Sequence, residues 1–163
     1  MTKYFLLFSL SITITSSLSG KNLKLANTFS DGIVFQRDKP INIWGSATPN
    51  KSINLIFGNE TKTSQSDDAG KWTITIGPLK ASSKPRAMSV KSEGNEIKIE
   101  DILVGEVWVC GGQSNMAWTL RGSTNADIEI PAANYPEIRF LKLPNVASPA
   151  ELDDFPTGKP TDG

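Results

Sequence analysis

The sequence predicts a mainly β, antiparallel sandwich over residues 23–102, followed by the truncated start of an α/β domain. Three observations carry this prediction. From Leu23 to about Ile102 the apolar residues recur with a period near two. Pairs of Gly, Asn and Asp cut that pattern into short runs. From Leu103 the alternation gives way to a stretch that is apolar on both faces.

Ahead of the sandwich, residues 1–19 read as a secretion signal. Lys3 supplies a positive start, Tyr4 to Leu10 opens an apolar stretch, and Ser17 and Ser19 place small residues before a cleavage point at Gly20. The stretch is too short and too rich in Ser and Thr to span a bilayer comfortably. An ordinary apolar first strand is the alternative. Cleavage predicts a secreted or periplasmic protein with no membrane attachment. It removes Lys3 and no acid, taking the balance of 17 basic and 17 acidic residues to a net charge of −1.

Residues 20–102 then form the sandwich domain. Ile41-Asn-Ile-Trp44, Ile53-Asn-Leu55 and Ile97-Lys-Ile99 alternate, and Lys71 to Ile76 does so most strictly. Strand geometry puts Trp72, Ile74 and Ile76 on one face and Lys71, Thr73 and Thr75 on the other. Trp44 and Trp72 both read as core residues by the same alternation. Asp31-Gly32, Gly58-Asn59, Asp67 to Gly70 and Gly94-Asn95 supply the positive φ angles of tight turns.

The remainder, 103–163, predicts a central strand over Val104–Cys110, with Cys110 as a core residue. A turn follows at Gly111-Gly112, then a short helix over about 126–133 and a second strand over Ile138–Leu143. Four prolines after Leu143 make the tail a loop. About sixty residues cannot close a doubly wound sheet, so this region is expected to be incomplete.

Composition narrows the chemistry. Equal numbers of acidic and basic residues, and no basic cluster interleaved with aromatics, argue against a nucleic-acid partner. There is no histidine and one cysteine, so zinc spacing is absent and no metal or other cofactor is expected. A Ser-His-Asp triad cannot be completed from these 163 residues.

Ser114 is the candidate nucleophile. It follows the expected central strand in Gly111-Gly-Gln-Ser-Asn-Met116, where backbone N–H groups can point at a developing oxyanion. Met116 stands where the nucleophile elbow of α/β-hydrolases has its second glycine. By spacing alone Ser114 could equally cap a helix.

The longer run Val104-Gly-Glu-Val-Trp-Val-Cys-Gly-Gly-Gln-Ser-Asn-Met116 resembles the nucleophile block of the sialate O-acetylesterase family. Phe29 to Arg37, Ile43-Trp-Gly45, Asp68 to Trp72 and Tyr135 to Phe140 resemble other blocks of the same family, so the likeness covers about Leu23 to the end. The resemblance implies a secreted enzyme of the SGNH class that removes acetyl esters from sugar hydroxyls, notably those of sialic acid. Ser114 would attack, and its backbone N–H would serve the oxyanion hole. Gln113, Asn115 and Trp118 would line the site. The family's later oxyanion donors and its Asp-x-x-His pair have no counterpart here, so the chain is expected to be an inactive N-terminal portion.

Three further candidates are weaker. Asp153-Asp154 could serve as an acid/base pair but sits in a Pro-rich tail that reads as a solvated loop. Asn50-Lys-Ser52 and Asn59-Glu-Thr61 are glycosylation sequons, meaningful only in a eukaryotic host. The alternative for the whole chain is a non-catalytic module that binds glycans or docks to a partner, or a degenerate product.

Overall fold

A computed structural model describes residues 23–144 and 148–156. The expected signal and its cleavage point lie outside the described residues.

Alternation builds most of the fold. β3 (Ile41–Ser46), β4 (Ser52–Phe57) and β6 (Lys71–Ile76) bury every second residue at their hydrophobic positions. Ile43, Ile53, Leu55 and Ile76 are fully buried, and Trp72 and Ile74 nearly so. Complete burial of one such side chain is worth about 1.5–3 kcal/mol. Two sheets carry these faces. β1 (Lys24–Leu25), β3 and β6 form one of three strands, and β2 (Val34–Gln36), β8 (Asn95–Gly105), β7 (Ser82–Ser92), β4 and β5 (Glu60–Gln65) form one of five, in that order. Their buried side chains join in a single hydrophobic cluster.

The turns fall where Gly, Asn and Asp predict them. Gly58 (φ 60°) opens the β4–β5 hairpin. Asp67 folds the β5–β6 connection by accepting the Ala69 and Lys71 N–H groups, at 2.9 and 2.7 Å. Glu93 and Gly94, both at positive φ, join β7 to β8.

Four expectations for residues 23–110 need correction. Strand pairing is not antiparallel throughout, because β2 runs parallel to β8, with Val34 opposite Leu103 and Gln36 opposite Gly105. The strand expected over Val104–Cys110 stops at Gly105, where its neighbour β2 ends. Beyond that point no strand among the described residues pairs with the backbone, and Trp108 and Val109 stand open to solvent. Cys110, expected in the core, is exposed for the same reason. Trp44 lies on the outer face of β3, because alternation from the buried Ile43 leaves it outward. There it meets Phe29 edge-on at 4.8 Å.

Of the two elements expected downstream, the helix forms as α1 (Ala126–Ala132), with Pro131 near its end. Ile138–Leu143 forms no strand and has no pairing partner among the described residues. No helix among the described residues is long and apolar enough to cross a membrane.

Candidate active site

The segment bearing Ser114 leaves the five-stranded sheet at the end of β8, and Gln36 at the end of β2 holds that exit. The Gln36 side-chain oxygen accepts the Val107 N–H at 2.8 Å, and its amide nitrogen donates to the Glu106 carboxylate at 3.1 Å. The Arg37 N–H donates to the Gly105 carbonyl at 2.9 Å. Three hydrogen bonds thus fix where the chain departs from the parallel pair.

After residues 106–113, which lack regular structure, Ser114–Ala117 form one turn of 3-10 helix. Ser114 is its first residue, and the first bond of the turn runs from the Met116 N–H to the Gln113 carbonyl at 2.9 Å. The Ser114 N–H lies ahead of that bond, so the turn does not consume it. A Cβ at 112 would stand 2.7 Å from Met116 Cγ, so any larger residue there would push the Met116 side chain aside. That close approach folds Met116 back over the Gly-Gly turn.

Gln113, Ser114, Asn115 and Trp118 are all exposed. Gln113 and Asn115 act through their backbones, each carbonyl closing a turn. Trp118 rests its indole against Gly122, where a Cβ would come within 3.2 Å of the ring, and the ring is otherwise open. Among the described residues no hydrogen bond reaches the Ser114 hydroxyl, and the sequence holds no histidine to supply one. A serine hydroxyl without a base is a poor nucleophile. Among the described residues no cluster of three or more His, Cys, Asp or Glu is placed to hold a metal ion.

Asp153 and Asp154 do not form an acid/base pair. Asp153 pairs with Lys71 at 2.7 Å, and Asp154 accepts the Asn27 N–H at 2.8 Å. The Asn27 amide in turn donates to the Phe155 carbonyl at 2.6 Å. The Lys71 ammonium lowers the pKa of Asp153 through its hydrogen bond and its charge.

With this geometry in view, comparison with known proteins decides what the chain resembles. No family model matches it. The sialate O-acetylesterase of Mus musculus is 29% identical over 155 residues, covering 88% of this chain and 29% of that protein. The sialate O-acetylesterase of Homo sapiens is 27% identical over 148 residues, with 84% and 28% covered. The chain is similar to the sialate O-acetylesterases over most of its length.

A carbohydrate acetylesterase from Xanthomonas citri adds a structural match. Its crystal structure superposes with a TM-score of 0.65 at 35% identity, over 69% of this chain and 26% of that one. The chain therefore spans less than a third of the length of the proteins it matches. The Phe29–Arg37 block, singled out in the sequence for its resemblance alone, contributes Gln36 and Arg37 to the exit of β8. Its role was hidden because those partners lie some seventy residues away, 71 for Gln36 and Val107.

Proposed function

We propose that this chain carries the nucleophile segment of a secreted carbohydrate esterase that removes O-acetyl groups from sialic acid or related sugars. Its β region would be the sandwich that precedes an SGNH-type hydrolase domain, and residues 103–163 would be the opening of that domain. Ser114 attacks the ester carbonyl, its own N–H contributes to the oxyanion hole, and Gln113, Asn115 and Trp118 line the site. The observation that carries this reading is the Val104–Met116 block in a chain homologous to sialate O-acetylesterases. The free Ser114 N–H at the start of its turn agrees with it.

With no histidine in its 163 residues, the polypeptide has no triad base, and alone it releases no acetate. That same absence favours a second reading, a module that binds acetylated glycans without turning them over. The two are separated with a hybrid in which residues 20–163 replace the matching part of the mouse enzyme. Acetate release from an O-acetylated sialic acid, falling by about 10⁶ in Ser114→Ala, is expected if Ser114 is the nucleophile. A folded hybrid whose activity survives Ser114→Ala would overturn that role. Acetate release by the chain alone, well above its own Ser114→Ala variant, would overturn the claim that it lacks a base. N-terminal sequencing of exported protein is expected to begin near Gly20, and recovery of Met1 would refute secretion by cleavage.

A further inference from the structure

We infer that Arg139 and Asp101 are a latch that closes the Ser114-bearing segment onto the five-stranded sheet, making both of them positioning residues. The inference rests on the esterase reading only for what Ser114 does; the latch itself is a matter of geometry. The segment 106–138 leaves the sheet at Gly105, and Arg139 returns it to the same strand, β8, four residues before that exit.

The receptor for Arg139 is built by an irregularity in β8. Opposite β7 the register slips between Arg86 and Met88, so that Ile99 and Ile102 flank one extra residue. The extra residue leaves Glu100 and Asp101 both facing solvent while Ile99 and Ile102 stay buried. Asp101 sits at φ 56°, a left-handed conformation that is unfavourable for a residue with a Cβ and that re-aims its side chain.

The re-aimed carboxylate takes the guanidinium in a fork. Arg139 Nη1 meets Asp101 Oδ2 at 2.6 Å and Nη2 meets Oδ1 at 3.1 Å. Nη1 also donates to the Gly32 carbonyl at 3.2 Å. Glycine at 32 is needed twice, for its φ of 79° and because a Cβ would stand 2.9 Å from Nη1. The loop that presents Gly32 is itself tied to the irregularity, with Asp31 Oδ1 accepting the Glu100 N–H at 2.7 Å and the Gly32 N–H donating to the Glu100 carbonyl at 3.1 Å. A planar, two-toothed acceptor of this kind selects Arg over Lys. In contrast to the open side chains around it, the Arg139 side chain is only 25% exposed.

The exposed Cys110 is the sole cysteine, so a spin label there reports the segment's position against a second label on the outer face of β5, at Thr61→Cys, opposite the exposed Ile56. In the full chain a narrow distance distribution is expected, widening about twofold in Arg139→Ala and in Asp101→Asn. Arg139→Lys should narrow it only in part, and the reversed pair Asp101→Arg/Arg139→Asp should recover it further than either reversal alone. In the parent the distribution should widen only as pH falls below the usual carboxylate range, because the Arg139 hydrogen bond and charge hold Asp101 low, and Asp101→Asn should lose that pH dependence. Distributions of Arg139→Ala and Asp101→Asn that coincide with the parent would overturn the latch, as would full recovery by Arg139→Lys. Loss of Ser114 dependence in the hybrid would instead overturn the esterase reading and leave the latch standing.

Discussion

Leu55 and Ile56 are isomers side by side on β4, and they provide a direct test of the two-faced strands. Leu55 is fully buried among both sheets' side chains, whereas Ile56 is 39% exposed on the outer face. Truncation to alanine removes the same three carbons from each, so any difference in cost comes from surroundings. For Leu55→Ala the lost burial and the cavity left behind should cost about 2–5 kcal/mol. For Ile56→Ala, where water already reaches the side chain, about 0.5–1 kcal/mol is expected. With a urea dependence of about 1.5 kcal/mol per molar, the midpoint should fall by roughly 1.5–3 M for Leu55→Ala and by under about 0.7 M for Ile56→Ala. Urea titration followed by far-ultraviolet circular dichroism, with the slope checked for constancy, measures both. Equal shifts, or a larger one for Ile56→Ala, would mean that β4 is displaced by one residue and that the alternation argument fails.

Gly45→Ala should destabilise the β1–β3 pair severely, because a Cβ there collides with the Lys24 carbonyl and comes within 2.9 Å of the Trp72 ring; a thermal midpoint within about 2 °C of the parent would refute this. Cys110 should react with a thiol reagent at the rate of a free peptide cysteine without denaturant, and slow labelling would show it covered. Asp153 has a folded pKa below its ordinary value of 3.8, held down by the Lys71 hydrogen bond and charge. Its contribution is therefore complete above the unfolded value and is lost as pH falls through the lower folded one. The urea midpoint should fall on acidification, and Asp153→Asn should remove part of that fall; an unchanged pH dependence in Asp153→Asn would refute the contribution.

What could be read from the sequence is what local chemistry decides. Trp72, Ile74 and Ile76 turn inward because a strand's side chains alternate, and the 93–94 turn forms because its glycine tolerates positive φ. The short helix expected over about 126–133 forms over 126–132. For Trp44 the alternation is misapplied: counted from Ile41 and Ile43, which are buried, it places Trp44 on the opposite, outer face. The end of β8 was not legible, because the apolar run continues while the pairing partner does not. A strand exists only as far as its neighbour does.

Around Ser114, the sequence showed a serine after two glycines, and the structure adds a free N–H at the start of a turn. Neither Asp101 nor Arg139 drew attention, since they lie 38 residues apart and only an extra residue in β8 brings them together. A signal was available in retrospect. The Phe29–Arg37 and Tyr135–Phe140 blocks, quoted separately for their resemblance, hold Gly32 and Arg139, which touch.

The parallel β2–β8 pair gives this chain a schedule. β2 leaves the ribosome early and finds no partner until β8 follows, about seventy residues later and on the order of 10 s at usual synthesis rates. Through that interval Phe35, destined for the core at 3% exposure, lies on a strand with an open edge. The nascent hairpins β4–β5 and β7–β8 form from near neighbours, but sealing the sheet is a distant event, and distant events are slow. The same pairing sets the exit from which the serine segment is launched, so that segment gains a fixed origin only once β2 and β8 have met.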